Sequence, residues 1–346
     1  MENDPSRLRP NIETAIMASL KRRIPTDTPS AYLEDIISLL MDALSKGEVY
    51  VGLNEAVAIE LKKDGWPSRH IEELKKSSWI NGKHSPIILT NNDISWRRWH
   101  NKMQAILMDL KERSLQCPVH FTQKNLLSNN YNYPSLNPQQ LSAIEGITQQ
   151  NLILISGGPG TGKTSTIVEI LIKALSLKEG LRIGLAAPTG KASRRLKETI
   201  GKSINNREQV HQEILSKIPC LTIHRWLQAI DGGFKRCKAN QLQLDLLVVD
   251  EMSMVDIHLM SGLLTALPKE TQLILVGDPL QLPPIGEGPV WHTIQTHDSQ
   301  HSFSKCSFHL TKLYRNRGDI ASLANIVRVH DINELFSEIM RLPSSS

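Results

Sequence analysis

Gly157-Gly158-Pro159-Gly160-Thr161-Gly162-Lys163-Thr164 follows the apolar run Asn151–Ser156 and opens a helical stretch, Lys163–Leu175. The octet has the spacing G-x-x-x-x-G-K-[S/T], the pattern of a loop between a buried strand and a helix. Its glycines let the backbone wrap so that N–H groups face phosphate oxygens. Lys163 supplies a point charge for β- and γ-phosphates, and Thr164 offers a hydroxyl to Mg²⁺. The helix start, which runs on through Ser165, adds a favourable dipole. A glycine turn arising by chance would not need this strand–loop–helix context. The octet predicts a nucleoside-triphosphate site and by itself says no more.

Working outward, Ile183–Ala187, Leu246–Asp250, Gln272–Gly277 and Ser307–Leu310 are further strand candidates, separated by helical stretches. Strands alternating with helices predict an α/β domain, a parallel sheet covered on both faces with ligands at the carboxyl ends of its strands. Leu246-Leu247-Val248-Val249 delivers Asp250 and Glu251 to such an end. Asp250 is placed to hold Mg²⁺, and Glu251 to line up the attacking water. Val276-Gly277-Asp278-Pro279-Leu280-Gln281-Leu282-Pro283-Pro284 follows another strand. Gln281 would reach a γ-phosphate from a proline-stiffened turn. A plain turn would need no glutamine there.

Composition sets the frame. The chain has 346 residues, 40% hydrophobic and 22% charged, which suits a globular protein of two or three domains. No apolar run approaches the roughly 20 residues of a membrane span, and the acidic start Met1–Asp4 argues against a secretory signal. Cys117, Cys220, Cys237 and Cys306 form no CxxC pair, as expected of reduced thiols in the cytoplasm. A net charge of +5 permits nucleic-acid binding without demonstrating it. Lys191, Arg194, Arg195, Lys197 and Lys202 crowd one segment, where they would neutralise backbone phosphates or form a solvated helix face. His297 and His301 stand at a zinc-ligand spacing, but in a polar stretch without the glutamate of HExxH. That stretch reads as a loop, and no metal is predicted there.

Residues 1–125 read as a smaller, mainly helical domain. Leu33, Ile36, Ile37, Leu40, Met41 and Leu44 recur at helical spacing behind Pro29-Ser30. Short helices are expected at Glu55–Leu61 and after Pro67-Ser68, and a strand at Ser85–Thr90. A longer helix is expected from Asp93 onward, carrying Ile94, Trp96, Trp99, Met103, Ile106, Leu107 and Leu110. The run Trp96–His100 reads either as a nucleic-acid patch or, more simply, as a helix with one face in the core. Asn, Tyr, Ser and Pro dominate from Leu126 to Pro138, a linker signature. The second domain then runs over residues 139–346.

Taken together, the phosphate loop, Asp250–Met254 and Gly277–Pro284 resemble motifs I, II and III of superfamily 1 DNA helicases. Ser156–Thr164 and Ala187–Ser193 resemble, within that superfamily, the RecD family, the alpha subunits of bacterial exodeoxyribonuclease V (RecBCD). The resemblance implies a RecA-like P-loop NTPase domain that uses ATP and Mg²⁺, with Lys163, Glu251 and Gln281 in the chemistry. Leu136–Gln140 is similar to the upstream glutamine motif, which puts Gln140 against adenine. Pro188, Thr189, Gly190 and Lys191 match a motif that touches single-stranded DNA, as do Thr222, His224 and Arg225 in the run Thr222–Trp226. Trp226 could equally be core. Leu310–Arg315 looks like motif IV, with Arg315 on the γ-phosphate. The implied partners are single-stranded DNA with a free 5′ end and the beta and gamma subunits of such a complex. The amino-terminal region, less specifically similar, would dock the motor onto the larger subunit.

Motifs V and VI of the family lie on a second RecA-like domain, which this sequence lacks as it stands. The expectation is therefore a half-motor, truncated after motif IV, that binds ATP and DNA, hydrolyses weakly and does not unwind alone. An arginine clamp on the γ-phosphate can be worth on the order of a thousandfold in rate. Two other readings stay open: a non-catalytic, nucleotide-stabilised assembly module, and another P-loop ATPase of the AAA type. The Gln281-Leu282-Pro283-Pro284 and Pro188–Lys191 segments speak against the AAA type.

Overall fold

A computed structural model of the chain describes residues 9–24, 31–54, 65–82, 84–121, 136–204, 209–296 and 301–314. The expected helix at Glu55–Leu61, residues 126–135 of the expected linker, His297 and Arg315 lie outside the described residues. Two compact units emerge. One comprises Met1–Met108, Asp256–Ser261 and Pro283–Val290; the other comprises Asp109–Val255, Gly262–Leu282 and Trp291–Ser346.

In the first unit, α1 (Arg9–Arg23), α2 (Ala31–Ser45) and α3 (Ser68–Lys76) accompany a three-stranded antiparallel sheet. Its strands are β1 (Val51–Gly52), β2 (Ile87–Thr90) and β3 (Asp93–Trp96), in the order β1-β3-β2. The apolar stripe of α2 supplies Leu33, Ile36, Ile37 and Leu40 to a core shared with Leu74, Trp79, Ile87 and Ile94. Here the structure corrects the expected helix from Asp93: Ile94 and Trp96 lie on β3, and helix α4 begins only at Arg97 and ends at Ser114. The reason is the turn before it. Asn91 and Asn92 both take positive φ, 49° and 66°, as a two-residue hairpin requires, and Thr90 then pairs with Asp93. Arg97 caps the end of that hairpin by donating to the backbone oxygen and hydroxyl of Ser85.

The second unit is built on six parallel strands. These are β4 (Leu152–Gly157), β5 (Ile183–Ala187), β6 (Cys220–Thr222), β7 (Leu246–Val249), β8 (Gln272–Gly277) and β9 (Ser307–Leu310). Their order is β9-β4-β8-β7-β5-β6. Of these six strands sequence reading missed only β6, three residues with no apolar run to mark it; it also missed the short antiparallel pair Ala229–Ile230 and Gly233–Phe234. Among the described helices of this unit are α5 (Pro138–Glu145), α6 (Lys163–Leu177), α7 (Gly190–Ile204), α8 (Gln209–Lys217) and α9 (Ile223–Leu227); α10 spans Ile257–Ala266 and α11 Val290–Gln295. The strands β4, β5, β7 and β8 are buried along their whole length, as strands covered on both faces must be. This is the RecA-like α/β architecture. Helix α6 buries almost every position after its first turn, which fixes the loop ahead of it against β4.

Candidate active site

The residues singled out by sequence follow the carboxyl ends of the parallel strands. Three adjacent strands, β4, β8 and β7, lead to the phosphate loop, the Gln281 turn and the Asp250–Glu251 pair. A cleft of about 610 Å³ opens over them, its lining including Gly158, Pro159, Gly160, Gly162, Lys163, Thr164, Ser165, Asp250, Glu251, Gln281 and Gln140. Gly157 and Thr161 are not in its lining but shape the loop. Thr161 donates its hydroxyl to the Gly158 carbonyl at 2.8 Å, and a Cβ on Gly157 would come within 2.7 Å of the Leu310 carbonyl. Gly162 takes φ +87°, a left-handed conformation that puts a Cβ 2.6 Å from Nε2 of Gln140. Only glycine fits there.

Lys163 donates to the carbonyls of Gly157 at 2.6 Å and Gly158 at 3.1 Å. The ammonium is thus held across the mouth of its own loop, where a phosphate oxygen would compete as a better, charged acceptor. Asp250 lies at the end of β7. Burial pushes its carboxyl up to about 6, and the neighbouring Glu251 charge pushes the same way, while the Glu251 N–H, Lys163 and Arg195 oppose the shift. A carboxylate and the Thr164 hydroxyl facing one cleft beside a phosphate loop form an all-oxygen donor set that suits a hard divalent cation. Glu251 sits at φ 56°, ψ 45°, the left-handed region, which costs a non-glycine residue about 1 kcal/mol or more. Strain of that kind held in a cleft is a mark of a functional position.

Two turns meet across the cleft floor. Ser253 donates its hydroxyl to Oε1 of Gln281 at 2.9 Å. The buried Asp278 shapes the Gln281 turn by accepting the Leu280 N–H at 3.0 Å. At the opposite end Gln140 is buried in a capping box with Asn137 at the start of α5. Its Oε1 accepts from the Asn137 N–H at 3.2 Å and the Tyr314 hydroxyl at 3.1 Å. Tyr314 also donates its N–H to the Gly160 carbonyl at 2.8 Å, so the segment leading to Arg315 is fastened to the phosphate loop. Ser253, Asn137 and Tyr314 were not identified from sequence as site residues; their partners are remote in the chain, and no spacing rule marks them.

The outer strand ends carry the other group. Ala187 of β5 is in register with Thr222 of β6, so the segments that follow leave one sheet edge at the same level. Thr189 caps α7 through the Ala192 N–H, and Thr222 caps α9 through the Arg225 N–H. Gly190, Lys191, Arg194, His224 and Arg225 are exposed, and Pro188 is buried beneath them. Trp226 is held as structure: its ring meets Gly184 and its Nε1 donates to the Leu185 carbonyl at 2.8 Å.

This fold and site define a RecA-like P-loop nucleotide-binding domain, and the sequence comparisons put it in the class of superfamily 1 helicases. Residues 140–287 match the family model of an AAA domain. Within that class the chain is RecD-like. It is 32% identical over 277 residues to the RecBCD enzyme subunit RecD of Mycolicibacterium smegmatis, a match covering 76% of this chain and 49% of that one. It is 39% identical over 153 residues to the ATP-dependent RecD2 DNA helicase of Deinococcus radiodurans, covering 44% and 19%. A solved structure of two Pif1 helicases on forked double-stranded DNA is 17% identical, at TM-score 0.40, over 62% of this chain and 53% of that one. The chain spans half or less of the length of the relatives named here. Among the described residues no helix is long and apolar enough to cross a membrane.

Proposed function

We propose that the chain carries the nucleotide-binding part of an ATP-dependent DNA helicase subunit of the exodeoxyribonuclease V type, acting in the repair and recombination of double-strand breaks. The observation that carries this reading is the cleft itself, in which Lys163, Thr164, Asp250, Glu251 and Gln281 converge from three adjacent strand ends. Lys163 and the N–H groups of residues 158–165 bind the phosphate tail. Thr164 and Asp250 would hold Mg²⁺, which when bound neutralises charge on the β- and γ-phosphate oxygens. Glu251 orients water and takes its proton, and Gln281 reads the γ-phosphate. Gln140 faces the base. Arg315 extends the segment that Tyr314 fastens to the loop and is assigned to the γ-phosphate on its resemblance to motif IV.

Thr189, Gly190, Lys191 and Arg194, with Thr222, His224 and Arg225, form the face for single-stranded DNA over the buried Pro188, supported by the shared register of β5 and β6. The amino-terminal domain docks the motor onto the larger partner subunit of a cytoplasmic complex with beta and gamma subunits, a reading supported by its resemblance to the family. The test is ATP turnover by the purified chain with and without single-stranded DNA, beside Lys163→Gln and Glu251→Gln. The expected pattern is nucleotide binding lost in the first variant, and retained without turnover in the second. Turnover in Glu251→Gln equal to that of the unaltered chain would refute the assignment.

A further inference from the structure

Helix α7 begins in the segment assigned to DNA, and its five basic residues look from sequence like one set. A helix turns by about 100° per residue, and the structure separates them. Ser193, Leu196 and Ile200 are buried, fixing the inward face. Ala192, Arg195 and Thr199, with Leu196, follow at helical spacing along one flank and line the nucleotide cleft. Arg194 points to the opposite flank. So does Lys197, whose charge is felt at Cys220 on the edge strand β6. Arg195 is exposed, and among the described residues its guanidinium has no hydrogen-bond or ion-pair partner. Its charge is felt at Asp250, the phosphate end of the cleft, together with that of Lys163.

We propose that Arg195 is a nucleotide residue: its guanidinium binds the γ-phosphate of ATP from within this domain and so distinguishes triphosphate from diphosphate. This rests on the nucleotide reading of the cleft. The chemistry is that of a planar fork of donors meeting phosphate oxygens. Lys163 and Arg195 approach from two elements, the loop after β4 and the flank of α7, so these two cations reach the terminal phosphate from different sides, in addition to the proposed Arg315. Because α7 also begins at Thr189–Lys191, one rigid helix carries a phosphate contact on each flank, one to the nucleotide and one to the DNA backbone.

The test compares affinity for ATPγS, ADP and a single-stranded oligonucleotide (without nucleotide) in the unaltered chain, Arg195→Ala, Arg195→Lys and Lys163→Ala. An exposed arginine is not needed for folding, and a melting curve on each variant checks this. Arg195→Ala is expected to weaken ATPγS about tenfold or more, as loss of a charge-assisted hydrogen bond does. ADP and DNA affinity should change by less than about twofold, a difference too small to represent a lost hydrogen bond, and Arg195→Lys should recover part of the loss. An unchanged ATPγS-to-ADP ratio, or a loss confined to DNA, overturns the proposal while leaving the nucleotide site standing. Equal nucleotide affinity in the unaltered chain and Lys163→Ala would overturn both.

Discussion

The Ser253 hydroxyl donates to Oε1 of Gln281 at 2.9 Å, joining the turn after β7 to the turn after β8. The link leaves Gln281 its amide N–H groups for a phosphate oxygen and fixes which way they point. A neutral hydrogen bond of this kind contributes about 1 kcal/mol, so Ser253→Ala should lower turnover about fivefold with little change in nucleotide affinity. Gln281→Ala should cost more, and the double variant no more than Gln281→Ala alone. Steady-state ATPase rates over the four proteins check this, and purely additive losses would contradict the coupling.

Glu251, in the lining of the cleft, keeps a left-handed backbone, φ 56°, that its side chain disfavours. Glu251→Gly should therefore raise the melting temperature, with relief on the order of 1 kcal/mol, while abolishing turnover. Glu251→Gln should lose turnover without that relief. Thermal melts beside rate measurements separate the two, and a lower melting temperature for the glycine variant would argue against stored strain.

Asp250 gives a pH signature. Its carboxyl rises from the ordinary 3.8 to about 6, chiefly through burial. A raised carboxyl favours the folded state fully below about 4 and loses that contribution as pH rises through about 6. Near pH 7.5, then, the ionised group costs the metal-free protein on the order of 2–3 kcal/mol. Asp250→Asn keeps an acceptor for the Glu251 N–H and should be more stable than the unaltered chain at pH 7.5, with the gap closing by about pH 4. Urea unfolding in EDTA at the two pH values checks this. Mg²⁺-dependent nucleotide binding should weaken in the same variant.

How much of this was legible in the sequence follows from the range of the forces involved. Strand–loop–helix punctuation is local, so β4, α6, β5, β7 and β8 could be read from apolar runs ending in glycine or acid. The three-residue β6 and the hairpin at Asn91-Asn92 depend on partners elsewhere, and the second was absorbed into a helix because Ile94 and Trp96 fit a helical stripe. Within the candidate site, Lys163, Thr164, Asp250, Glu251 and Gln281 follow strand ends, which is why sequence could single them out and why the structure gathers them in one cleft; Tyr314 and Ser253 join it through hydrogen bonds to residues remote in the chain, which no local pattern marks. Arg194 and Arg195 adjoin in sequence, and only the seating of α7 on the sheet tells them apart.

Arg113 makes a stability prediction. Its side chain is wholly buried, paired with Asp109 at 2.8 Å. It donates to the carbonyls of Thr271 at 2.9 Å, Pro268 at 3.0 Å and Lys269 at 3.3 Å, the turn that feeds β8. Removing it leaves several carbonyls at that turn without their donor, while Asp109, among the described residues, keeps only Lys269, at 2.5 Å. Arg113→Met should cost about 3–5 kcal/mol, and Arg113→Lys somewhat less, since an ammonium cannot span the fork. Denaturant midpoints check this, and a loss under about 1 kcal/mol for Arg113→Met would contradict it.

The most direct measurement is equilibrium binding of a fluorescent ATP analogue to the purified chain in Mg²⁺, beside Lys163→Ala. The account predicts saturable binding that weakens about a hundredfold or more when the ammonium is removed. Binding that is absent in the unaltered chain, or identical in both proteins, would contradict the claim that this cleft is a nucleotide site.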